Sequence, residues 1–273
     1  MARKNVRVDI PVGNVDRTLK LGEDIQQRHV ELDADSPLTD IIDMAEFGTL
    51  LTAIAAKRTP AITDGRKKEA WNEKALRMIG IAKGQNLEIP GTVFHHINKV
   101  HRFMAFKFRG NEEQASLWGF DVVVGQTNGR RHVNFNIPYG SPQGMIDLAS
   151  DILSKHGTDG VDTIFPASLF DMDGLQQNLD TAVQLREDAE ESNQQKQANN
   201  QAARVLCGYG EGQTSQTHGT LYYEITRVRD LLLIAYDGNE EQLSLWGFNV
   251  VVSATGGGKK AGETGEQDGE TEE

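Results

Sequence analysis

One fifteen-residue segment of this chain occurs twice. G-N-E-E-Q-A-S-L-W-G-F-D-V-V-V at 110–124 returns as G-N-E-E-Q-L-S-L-W-G-F-N-V-V-V at 238–252, identical at 13 of 15 positions with a constant offset of 128. Such an echo limits the chain to architectures made of two copies of one unit. The match extends well beyond the segment. Val6–Pro11 aligns with Val133–Pro138, and Gly13 and His29 align with Gly140 and His156, all at offset 127. Asp43-Met44 meets Asp171-Met172 at offset 128, Arg77 meets Arg204 at 127, and Gly91-Thr92 meets Gly219-Thr220 at 128. The expected organisation is a helical repeat over 1–127, a second over 128–255, and an acidic, disordered tail over 256–273. Each repeat is of ordinary domain size, and two repeats are too few for a solenoid.

Within each copy the hydrophobic spacing changes period. Val6, Val8 and Ile10 alternate as a strand does, and so do Val133, Phe135 and Ile137, each run ending at a proline. A short amphipathic helix follows, with His29 or His156 at its C-terminal end, where a helix dipole favours a cation. A long helical region comes next. In the second copy it runs from about Leu169 to Leu206 and turns strongly polar over 190–201, which suggests a projecting, solvated helix; in the first copy Pro60 is expected to kink or divide it. Thr92 and Thr220 suit the N-cap of a third helix.

The repeated signature reads as a helix start, a helix stop and a strand start. Asn111 and Asn239 suit N-caps. Leu117 and Trp118 are then carried inward, Gly119 takes the left-handed position that ends a helix, and Phe120 packs back on it. Trp246, Gly247 and Phe248 repeat the pattern, and the valines at 122–124 read as a buried strand. The two Trp-Gly-Phe triplets are thus fold signatures or, since interfaces favour tryptophan, interaction residues. Asn128-Gly129 between two strand-like runs marks a hairpin at the junction of the copies. By symmetry, the first and last strands pair either within one molecule or between molecules, where they would build a filament. The fold class that results is mainly α: two tandem helical-bundle domains of three or four helices each, with short strands at the domain ends forming a small antiparallel sheet at the junction.

No catalytic constellation emerges. Cys207 is the only cysteine, which suits a buried structural thiol and cannot form an intramolecular disulfide. No histidine follows a glutamate by three residues, as di-metal helical bundles require. His95, His96 and His101 cluster in the first copy, whereas the second has Tyr223, Glu224 and Arg229 there. Gly208, Gly210 and Gly212 lack both the preceding strand and the Lys-Ser/Thr pair of a phosphate loop. A net charge of −12 argues against a nucleic-acid-binding surface, and no apolar run approaches the ~20 residues of a membrane helix. The N-terminal residues carry charge without the apolar core of a secretory signal, so a cytoplasmic location is expected.

The signature G-N-E-E-Q-x-S-L-W-G-F-x-V-V-V, preceded by Gly-Thr and a helix with Arg227-Val228-Arg229-Asp230-Leu231-Leu232, resembles a group of uncharacterised bacterial proteins. These are small helical modules with an N-x-x-x-L-x-x-W-G-F ending, sometimes followed by a fibronectin-type domain. The resemblance spans most of each copy, with the first departing at Lys99-Val100-His101-Arg102, and it brings no activity with it. The resulting expectation is a non-enzymatic structural or self-assembly protein, without a cofactor or metal, whose partner is another protein or itself. The alternative is a small-ligand or metal-binding module using the His95/His96/His101 face.

Overall fold

The computed structural model describes residues 4–85, 89–109, 111, 113–127, 130–158 and 164–254. The chain is mainly helical, with two small antiparallel sheets. Strand β1 (Lys4–Asp9) leads to α1 (Val15–Leu32), a 3-10 turn (Asp33–Asp35), the long α2 (Met44–Ile79), α3 (Val93–Lys107), the short α4 (Glu113–Ser116) and β2 (Asp121–Thr127). The same order of strands and α-helices then recurs: β3 (Arg130–Asn136), α5 (Pro142–Thr158), α6 (Met172–Cys207), α7 (Leu221–Ala235), α8 (Glu240–Ser244) and β4 (Asn249–Ala254).

The helix boundaries follow from local chemistry. Thr92 accepts the backbone N–H of His95 and Thr220 that of Tyr223, as N-caps at equivalent places. Asn239 accepts from the N–H of Gln242, and Asn14 caps α1 in the same way. Both long helices have 36 residues, so they match without a gap at offset 128, and Arg204 stands opposite Leu76 instead of Arg77. Pro60 does not divide α2, which is continuous through it. The ring is exposed, so the carbonyl that loses its helical donor can turn to water. Gly80 and Gly208 end the two helices at φ of 95° and 90°.

The chain forms two compact units, and they do not coincide with the repeats. Of the described residues, those up to Arg58 and from Gln201 onward form unit 1, and Thr59–Asn200 forms unit 2. Each unit therefore joins the beginning of one repeat to the end of the other. In unit 1, β1 pairs with β4 from Lys4↔Ala254 to Asp9↔Asn249, and α1 packs on α7. In unit 2, β2 pairs with β3 from Asp121↔Asn136 to Thr127↔Arg130, and α3 packs on α5. The expectation of one domain per repeat is corrected accordingly. A 36-residue helix is about 54 Å long at 1.5 Å per residue, well beyond the ~30 Å of a small domain, so it carries the chain out of the unit in which it starts. The single junction sheet that the sequence suggests is likewise joined by a second, β1–β4, and the first and last strands pair within the molecule. Asn128 and Gly129 lie outside the described residues, as do residues 256–273.

Each unit has its own core. In unit 1 it is built from Ile25, Phe47, Ile54, Leu221, Val228 and Trp246 among others. In unit 2 Ile97, Met104, Trp118, Met145, Ile152 and Leu175 serve. The polar stretch of α6 is helical, as its sequence suggests, but it is not a bare projection. Within unit 2 the ammonium of Lys68 donates to Asn193 at 3.0 Å, Lys196 lies over Gly65, and Ser192 is buried.

Among the described residues, no helix is long and apolar enough to cross a membrane.

Candidate interaction surface

The Trp-Gly-Phe triplets face inward. Trp118 and Trp246 are 3% and 0% exposed, and Phe120 and Phe248 are buried beside them. Gly119 and Gly247 share a φ of 84°. A Cβ on either would come within 2.7 Å of Asp151 or 2.8 Å of Asp24, so these positions need glycine for both conformation and space. The triplets thus hold a short helix, a left-handed stop and a strand against the first helix of the other repeat. As buried groups, the two indoles are not themselves a docking surface.

The neighbouring positions depart from the sequence reading. Leu117 is exposed where an inward side chain was expected, and so is its counterpart Leu245. Adjacent residues in a helical turn point about 100° apart, and the larger indole takes the inward direction. Val122 and Val250 pack on their cores, but Val123, Val124 and Val251 are largely exposed. A two-stranded ribbon with one face on a core leaves its other face, with Val123 and Val251, in water, while Val124 is exposed although it shares the face of Val122.

Among the described residues, ten of the fifteen exposed large apolar ones recur in pairs: Phe106 with Ile234, Leu117 with Leu245, Val123 with Val251 and Ile41 with Leu169, all at offset 128. Val12 and Tyr139 add a fifth pair at offset 127. Sequence reading passed over Phe106 and Ile234 because neither fits the buried stripe of its helix. The available signal was an apolar residue standing off the stripe at the same position twice.

The histidines do not converge. His101 places Nε2 3.0 Å from the carbonyl oxygen of Phe135 and stands against the rings of Phe120 and Phe135. His96 meets the Asn178 amide at 3.3 Å. His95 stands edge-on to His96. Burial pushes the pKa of both His96 and His101 down, with the Phe135 carbonyl opposing this at His101 and Asp171 opposing it at His96. Among the described residues, no three His, Cys, Asp or Glu side chains are grouped closely enough to hold a metal ion. The imidazole of His29 contacts Ser36 at 2.7 Å in the last turn of α1. His156 occupies the last turn of α5, with its ring near Phe165.

Cys207 is fully buried in unit 1, and desolvation pushes its thiol up to about 12, which suits an inert packing residue. Beside it the Tyr209 hydroxyl donates to the Pro11 carbonyl and lies 2.6 Å from the Thr18 hydroxyl. The Gly208–Gly212 segment follows α6 and leads toward α7, with no strand before it. One cavity of unit 1, about 210 Å³ and bordered by Phe47, Leu50 and the Glu224–Arg227 ion pair, is smaller than the ~300 Å³ at which small-molecule sites begin, whereas another, about 510 Å³, opens among Ile10, Asp16, Lys20 and Asp24.

Comparison of the chain with protein-family models, curated proteins and solved structures finds no match.

Proposed function

We propose that this protein is a non-enzymatic structural or self-assembly protein, built from a duplicated helical module of the Trp-Gly-Phe type that the sequence resembles. The observation that carries this reading is the recurrence of exposed apolar side chains at five corresponding positions of the two repeats. Single exposed hydrophobics are common on any surface. Repetition at matched positions is what a shared docking role would produce. A free thiol suits the reducing cytoplasm, where we place the protein.

Sedimentation velocity on the full-length chain over a hundredfold concentration range tests the proposal. Concentration-dependent species larger than the 30.1 kDa monomer are expected. A strict monomer that also captures no protein partner would overturn it.

A further inference from the structure

Phe106 on α3 and Ile234 on α7 occupy the same repeat position and are 81% and 80% exposed. Each lies near the C-terminal end of its helix, away from the buried stripe. On α3 that stripe is Val93, Ile97, Val100 and Met104, and Phe106 is two residues, or about 200°, beyond its end. One turn earlier, on the same helix face, stands Arg102 in unit 2 and Asp230 in unit 1, both exposed. Three residues beyond the apolar side chain stands Arg109 in unit 2 and Asp237 in unit 1, again exposed. Lys107 adds a further cation where α7 has Ala235. Two equivalent positions thus present one apolar centre with flanks of opposite charge: Arg-Phe-Arg in unit 2 and Asp-Ile-Asp in unit 1.

This inversion distinguishes partners. Two identical faces would bring like charges together, whereas the face of unit 2 and that of unit 1 are complementary. Complementary charge suppresses wrong pairings and fixes register around an apolar contact. A molecule that carries one face of each sign, and uses one on each neighbour, joins others head to tail. Within unit 1, Arg229 donates to Oδ1 of Asp230, so the acidic face is partly offset by a local cation that docking has to share.

We infer that the Phe106 face of unit 2 docks on the Ile234 face of unit 1 in a second copy of this chain. The inference rests on the self-assembly reading and gives it a surface and a polarity. Two charge variants of the full-length chain test it. R102D/R109D makes both faces acidic. D230R/D237N removes the acidic flanks of unit 1 and leaves both faces basic or neutral; asparagine is chosen because residue 237 has a φ of 47°. In sedimentation velocity each variant alone should associate at least tenfold more weakly than wild type, and an equimolar mixture should recover association. F106S should weaken it without charge change. All the altered residues are exposed, so each variant is expected to fold, which circular dichroism and Tm check. Variants that associate like wild type overturn this docking while leaving self-assembly standing. Variants that each lose association without recovery on mixing overturn the charge pairing. A wild-type chain that is monomeric throughout overturns this docking, and the structural reading falls with it if the chain also captures no protein partner.

Discussion

Units 1 and 2 fill one scaffold with different chemistry. In unit 1 the Thr18 and Tyr209 hydroxyls meet at 2.6 Å, and both reach the Pro11 carbonyl. The corresponding residues in unit 2 are Met145 and Ile81, which belong to its apolar core or pack against it. The Asp16–Arg58 ion pair of unit 1 becomes a 2.7 Å hydrogen bond from Arg186 to Gln143 in unit 2. Around the tryptophans, unit 2 gathers the rings of Phe103, Phe165 and Phe170, while unit 1 uses Leu38, Ile42 and Leu231. The lesson is that contacts diverge in pairs. A lone hydroxyl at either position of the Thr18–Tyr209 contact would keep its bond to the Pro11 carbonyl but face a hydrocarbon where its hydroxyl neighbour stood, whereas two hydroxyls or two hydrocarbons are each self-consistent.

The tryptophans give the largest test of this comparison. Trp118→Ala and Trp246→Ala should each cost about 3–5 kcal/mol, the usual range for a buried aromatic truncated in a core. The Trp118 ring meets Phe165 edge-on with centroids 4.7 Å apart. Such pairs add about 0.5–1.5 kcal/mol, so Trp118→Ala should cost more than Trp246→Ala. Urea unfolding followed by circular dichroism measures both. Equal costs would mean that the aromatic cluster adds nothing beyond its area.

What the sequence revealed and what it concealed have one physical origin. Caps and stops are local: Thr92, Thr220 and Asn239 cap, and Gly119 and Gly247 turn left-handed, because each needs only neighbours within a few residues. The strands at Val6–Ile10 and Val133–Ile137 were legible for the same reason. The exchange of halves was not. Two copies with nearly the same apolar stripes offer α1 equivalent partners in α3 and α7, so hydrophobic pattern alone does not select between them. The unbroken length of α2 and α6 decides it, and a proline in one and a polar stretch in the other obscured that length. The docking positions were hidden differently: Phe106 and Ile234 break the pattern from which helices are recognised.

A second test sharpens the paired-contact idea. Tyr209→Ile alone should cost about 1–3 kcal/mol, because the Pro11 carbonyl and the Thr18 hydroxyl each lose a hydrogen-bond partner, although Thr18 still donates to the Pro11 and Asn14 carbonyls. Thr18→Met combined with Tyr209→Ile recreates the residues of unit 2. The double change should cost less than the sum of the single ones, since residues in contact do not contribute additively. A double-mutant cycle from urea unfolding gives the coupling, and strict additivity would show that the two contacts diverged independently.

The smallest expected effect is pH-dependent and belongs to unit 2. His96 and His101 sit where unit 1 has Glu224 and Arg229. Burial holds both imidazoles below their ordinary pKa of 6.5. As the pH falls below that value, the unfolded chain takes up protons that the folded unit resists. The contribution is therefore complete above about pH 6.5 and is lost progressively until the folded pKa is passed. Amide hydrogen exchange should then show unit 2 losing protection relative to unit 1 between pH 7 and pH 5, after correction for the intrinsic exchange rate. His96→Gln with His101→Gln should flatten that difference while leaving unit 1 unchanged. Equal acid sensitivity of the two units in the wild-type chain would mean that these two imidazoles do not set it.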